Sequence, residues 1–255
     1  MKIYNKAVII LFLIFFLKPM FFFGQIQNYV VLGGQTWTNV NLSVDRFRNG
    51  DIIPESTNKE DWLKAGYRGE PSWCYYMFDE KYSHLGKLYN YYAVISPNNI
   101  APKGWTVPSY FDYFNLIKYL DPLITHEYFE DNGSLSGGSL KIKNSTKYWT
   151  EKDCKQIDSK FNAIPSGGYS PSLNYPEYDW DNVGEVTRLW CITDWEIIIE
   201  TSIENEDEKN KLLAKLSAGE FNEKAIVLRL DKWCDIDVDD DPKLNGYSLR
   251  LIKDE

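Results

Sequence analysis

Residues 101–109 read "APKGWTVPS" and run straight into "YFDYFNLIKYL". No other stretch limits the possible folds as strongly. Pro102-Lys103-Gly104 turns the chain, and Pro108 keeps Val107 extended because a proline ring crowds the preceding residue out of helical geometry. Trp105 sits between these two locks as a packing plug. Ser109 has the form of a helix N-cap, with Asp112 three residues on in the capping-box position. Tyr110, Tyr113, Phe114, Ile117 and Leu120 follow at helical spacing and predict an amphipathic helix over 110–120, ended by Asp121-Pro122. A chain with this corner must carry a strand directly into a helix, with an indole at the joint.

The remaining segments are mostly short and β-prone. "YVVLGGQTWTNVNL" (29–42) predicts a strand, a Gly33-Gly34 turn and a second strand. "FRNGDIIPE" carries an Asn-Gly turn, and a helix-like acidic patch follows it to Trp62. "PSWCYYMF" and "GKLYNYYAV" read as two aromatic strands, either a hairpin or neighbours in one sheet. "EVTRLWCITDWEIII" (185–199) is β-prone throughout, residues 205–216 predict a charged surface helix, and "AIVLRL" and "GYSLRLI" supply the last strands. Many short strands, few helices and long loops imply an α+β domain rich in irregular structure. No Pro/Ser/Gly linker divides the chain, so a single domain is expected.

Residues 1–24 stand apart. Lys2 and Lys6 precede the apolar run "AVIILFLIFFL" (7–17), after which Lys18-Pro19 interrupts. A basic start and a short apolar run have the pattern of a signal peptide. The run is too short to span a membrane, which takes about 20 residues. Export, cleavage near Gly24-Gln25 and no stable membrane span afterwards are the expectation. The full chain carries 28 basic and 37 acidic residues, a net charge of −9. Loss of Lys2, Lys6 and Lys18 with the leader deepens that to −12. Such a surface repels phosphate backbones, so nucleic acid is excluded as the expected partner. Cys74, Cys154, Cys191 and Cys234 suit an exported chain but are spaced too widely for a zinc knuckle. A two-bridge framework and one bridge with two buried thiols both remain open.

Nine pieces in order carry a resemblance: "GGQTWTNVNL", "FRNGDIIPE", "PSWCYY", "GKLYNYYAV", "IAPKGWTVPS", "GGSLK", "FNAIPSGGY", "RLWCIT" and "NGYSLRLIKD". Together they resemble the Fibrobacter succinogenes major paralogous domain, an exported bacterial module. The resemblance covers nearly everything from Gly33 onward and makes residues 25–255 one such domain. It implies a C-type-lectin-like fold, similar to that of formylglycine-generating enzymes, and a place in the cell envelope or outside the cell. It implies no agreed activity. Two departures stand out. Leu251 replaces a cysteine of the family's last strand. Residues 194–224 look like an insertion, and the resemblance suggests that Cys191 and Cys234, which flank it, form a replacement disulfide.

The chemistries of the related fold find little support in the residues. Copper(I) needs closely spaced soft ligands, and no two cysteines are close in sequence. An iron site needs clustered histidines, and the chain has only His84 and His126. Trp180-Asp181-Asn182 has the wrong order for a calcium-lectin tripeptide. Asp235, Asp237 and Asp239, with Asp240 and Asp241, form a weak candidate for a structural Ca²⁺, since hard cations take carboxylate oxygens. The glycine and glutamate of an EF-hand loop are missing there, and a solvated acidic turn is the competing reading. No spacing selects a catalytic carboxylate pair, and no enzyme is expected.

Binding remains. Aromatic rings with polar rims suit sugar stacking, and the chain has 9 Trp and 18 Tyr. Trp37, Trp73, Trp105 and Trp190 are assigned to the core. Tyr169, Tyr175, Tyr178 and Trp180, on a stretch rich in Pro, Gly and Asn, are the candidate ligand-binding residues. The expected function is a non-catalytic module that recognises a glycan or an envelope protein. The alternative is a structural or adhesion component acting through protein–protein contacts.

Overall fold

The first and last strands share one sheet. A computed structural model describes residues 26–124, 140–141, 149, 159–172, 174–233 and 235–254. The expected leader, His126, Cys154 and Cys234 lie outside the described residues. In chain order, β1 (Tyr29–Leu32) and β2 (Gln35–Thr38) form a hairpin, and helix α1 (Lys59–Tyr67) follows. Strands β3 (Trp73–Cys74) and β4 (Leu88–Tyr89) pair before the single-turn helix α2 (Tyr91–Val94). The corner supplies β5 (Trp105–Thr106) and helix α3 (Tyr110–Leu120). Then come β6 (Gly168–Tyr169), β7 (Trp180–Asp181) and β8 (Val186–Trp190). Helices α4 (Trp195–Ser202) and α5 (Glu206–Ser217) precede β9 (Lys224–Asp231), β10 (Ile236–Pro242) and β11 (Ile252–Lys253).

One sheet has the order β1-β2-β11-β5, another β10-β9-β8, and two further pairs join β3 with β4 and β6 with β7. All named strand pairs are antiparallel. The domain is therefore α+β with short strands.

The corner works through backbone bonds. Trp105 donates its amide to the Pro102 carbonyl at 3.0 Å, while the Arg48 guanidinium donates to the carbonyls of Ala101, Pro102 and Trp105. Gly104 supplies the positive φ of 84° that the turn requires. Trp105 is buried and pairs with Lys253 of β11. Ser109 closes a capping box with Asp112: the Asp112 amide donates to Ser109 Oγ at 3.2 Å, and the Ser109 amide donates to Asp112 Oδ2 at 2.7 Å. Helix α3 then lays Tyr113 against Trp37, ring centres 5.0 Å apart.

Large rings fill the interior because two-residue strands bury little aliphatic surface. Trp37, Trp73 and Trp190 are buried, and each indole N–H finds an acceptor. The partners are Gln35 Oε1 at 3.3 Å, the Ile53 carbonyl at 2.9 Å and the Tyr89 carbonyl at 2.8 Å.

Four sequence expectations are corrected. The two aromatic strands shrink to β3 and β4, because Asn90 Oδ1 accepts the amides of Ser72 and Ala93 and starts α2. The β-prone run 185–199 splits: Asp194 caps α4 by accepting the Ile197 amide at 3.1 Å, so "WEIII" is helical. The acidic run after Asp235 is a strand, not a turn. It pairs with β9 from Ile236–Leu230 to Pro242–Lys224. Finally, Cys191 is a free thiol, not half of a disulfide with Cys234. The register explains this. Trp190 pairs with Val227, so Cys191 lies at one end of β8, whereas the turn that follows Asp231 lies beside Val186 at the other. Four residues of strand separate those ends by roughly 13 Å at about 3.3 Å per residue.

Candidate functional site

The loop from Ser170 to Asp179 is fastened from within. Asp179 is buried, and its Oδ2 pairs with Lys59 Nζ of α1 at 2.7 Å while its Oδ1 accepts the Ser172 amide at 2.7 Å. The Asp179 carbonyl also accepts the Ser170 amide at 2.7 Å. Partners on three sides make the loop a preorganised support for the residues it carries.

Those residues separate by position. Tyr169 is fully buried, so its assignment to the ligand surface is corrected. It pairs with Trp180 in the β6–β7 ladder, its ring stacks on the Trp180 indole at 4.1 Å, and Trp62 and Phe78 close its edges. Close approach fixes this packing: a Cβ at Gly168 would come within 2.8 Å of the Tyr247 ring. Tyr175 is exposed but stands apart from the cleft described next. Tyr178, 74% exposed, and Trp180, half-buried, line that cleft. Trp180 is held by Tyr169 on one face and by edge contacts with Tyr76 and Phe78.

The cleft spans ≈ 1000 Å³, counting space open to solvent, and Tyr178, Trp180 and Trp233 are among the residues that line it. Trp233 lies in the turn between β9 and β10 and is 59% exposed, with Lys232 Nζ 4.6 Å from its ring centre. Its amide donates to Asp231 Oδ1 at 2.9 Å, which ties the turn to the sheet. Sequence reasoning passed over Trp233. The available signal was a tryptophan in "DKWCD", a polar segment directly after the β-prone run "AIVLRL", where no packing role demands an indole.

The floor is ionic. Arg188 on β8 meets three carboxylates: Asp181 at 2.7 Å, Asp239 at 2.8 Å and Asp241 at 3.2 Å. Arg229 on β9 meets Asp237 at 2.7 Å and Asp231 at 3.4 Å. Lys232 pairs with Glu185 at 3.2 Å, and Glu185 also accepts from Asn182. Burial works against the Arg188 charge, but Tyr247, Asp181 and Asp241 outweigh it and hold the guanidinium above its ordinary range. Burial lifts the Asp241 carboxyl above the usual carboxylate range although Arg188 pulls the other way. Strand alternation places Asp237, Asp239 and Asp241 on one face of β10, where the two arginines meet them.

This pairing places the Ca²⁺ candidate. Asp237 and Asp239 are each engaged by a guanidinium, and Asp235 sits at the turn beside Asp231. Among the described residues no group of three or more His, Cys, Asp or Glu is arranged to hold a metal ion.

A second hollow of ≈ 690 Å³ lies under α4 and α5, walled by Ile198, Ile199, Ile203, Leu212 and Phe221. Apart from Asp239 and Asp240 at its rim, it offers few groups that would orient a ligand.

Residues 30–253 match the model of the Fibrobacter succinogenes major domain. The chain belongs to that family. No curated protein and no solved structure matches it. Within this Fibrobacter succinogenes major domain, no described helix is long and apolar enough to cross a membrane. The matched range contains the corner and every described residue that lines the cleft.

Proposed function

We propose that this domain is an exported, non-catalytic binding module of C-type-lectin-like architecture that recognises a glycan in the cleft between Tyr178, Trp180 and Trp233. The observation that carries the reading is the joining of three solvent-reaching aromatic rings with an ionic floor in one open cleft. A pyranose offers apolar C–H faces and equatorial hydroxyls. Aromatic rings take the first, and fixed carboxylates and guanidinium groups take the second. Arg188 and Arg229 are held by their own carboxylates, so they are positioned before any ligand arrives, which lowers the ordering cost of binding. The leader-like residues 1–24 support export. A soluble sugar is reached by diffusion, and the net negative surface leaves neutral glycans free of repulsion.

Affinity measurements on single variants test the site. Trp233→Ala and Tyr178→Ala remove exposed rings without opening the core, so each should weaken binding of a glycan ligand about tenfold with the fold intact. Unchanged affinity in both variants would remove the cleft from consideration. Capture of a single envelope protein in place of any glycan would favour the structural or adhesion reading.

A further inference from the structure

Arg250 is fully buried. Its guanidinium donates from Nε to Asn41 Oδ1 at 2.8 Å and from Nη1 to the carbonyls of Thr38 and Phe161. Nη2 donates to the Asn162 carbonyl at 2.9 Å. These acceptors are all neutral, and among the described residues no carboxylate pairs with it. A guanidinium has five N–H donors, and the four bonds leave one on Nη2 unused. A buried charge without a counter-ion is costly, and here burial pulls the group down to about 9, so it remains charged at neutral pH.

Arg250 also lines a polar hollow of ≈ 840 Å³ that shares no residue with the aromatic cleft. Asn28, Asn39, Asn162, Ser43 and Ser83 also line it, and their amide and hydroxyl groups take no side-chain partner within the described chain. Among the described residues no acidic side chain lines the hollow, although acids outnumber bases in this chain 37 to 28. The geometry is fixed where the backbone passes closest: Gly86 has φ 88°, and a Cβ there would come within 2.8 Å of Asn41 Cβ, next to the amide that receives Arg250.

We infer that this hollow is a binding site for a small carboxylate-bearing ligand. The ligand's single negative charge compensates Arg250, while the neighbouring side-chain amides and hydroxyls supply the remaining hydrogen bonds. A monoanion matches one buried cation, whereas a phosphate dianion leaves a surplus charge in a protein that is already acidic.

NMR titration of the full chain tests the inference, with the Arg250 Nε–Hε signal and the Asn39 and Asn41 side-chain amides as reporters. The probes are glucuronate, acetate, inorganic phosphate and glucose. Glucuronate and acetate should shift these signals saturably, and glucose should not. Tighter binding of glucuronate than of acetate assigns the carboxylate to a sugar acid, and equal binding assigns it to a free short-chain acid. The Arg250 position is structural, so the decisive variant is Asn39→Asp at the partly exposed wall. Its added charge should weaken glucuronate binding about tenfold. The Trp180 and Trp233 indole signals should stay in place throughout, which separates this site from the glycan cleft. No saturable shift at Arg250, a response to glucose equal to that of glucuronate, phosphate binding tighter than acetate, or full affinity in Asn39→Asp would each overturn the assignment.

Discussion

Cys191 keeps its thiol inside the core, with Sγ 3.4 Å from the Ile226 carbonyl oxygen, and Cys74 is buried beside α1 and β4. Burial pushes both thiols well above their ordinary range, chiefly by disfavouring the thiolate. Neither should react with iodoacetamide in the folded protein, and both should react once it is unfolded. Site-resolved mass spectrometry checks this, and labelling of Cys191 under native conditions would contradict its burial. The corner gives two further expectations. Ser109→Ala should cost about 1 kcal/mol through loss of the cap. Trp105→Ala should cost about 3–5 kcal/mol because it empties the joint between β5 and β11. Denaturant titration measures both. At this scale the sequence was most legible where the cause is local: a serine before a helix and an indole between prolines act through their nearest neighbours. Tyr169 and Cys191 were misread because their surroundings come from distant segments, Trp62 and Phe78 for the one and Ile226 for the other.

Elements show the same division. The hairpin of β1 and β2 follows from Gly33-Gly34, and α3 follows from its apolar spacing, so both could be read directly. Strand β10 could not, because aspartates are poor strand formers. It forms because β9 offers Arg229 and Lys224 to Asp237 and Asp240, and β8 adds Arg188 to Asp239 and Asp241. Charge pairing across strands was invisible until the register was known. Helix α5 is the opposite case: its charge pattern predicted a surface helix, and it buries none of its residues. Strand β9 is central in its sheet and mostly buried. Native-state hydrogen exchange should therefore open α5 by low-energy local events and β9 only with global unfolding. Protection in α5 equal to that in β9 would show that the helix is bound into the core more tightly than its exposure allows.

Across the whole molecule, two segments far apart in sequence build the candidate site. The loop 170–182 brings Tyr178 and Trp180, and the β9–β10 turn brings Trp233. Half of the site was legible because an aromatic loop rich in Pro and Asn announces a surface. The other half was not, because Trp233 joins it only through the antiparallel pairing of β8 with β9, and the arginine floor depends on the same register. Whether this cleft holds a glycan is decided by a glycan array probed with the full chain and with a Trp180→Ala/Trp233→Ala double variant. The parent chain should bind at least one glycan class selectively, and a double variant that retains its cooperative unfolding transition should lose that binding. Binding by the folded double variant at the parent's level, or no glycan bound by the parent, would contradict a glycan site in this cleft.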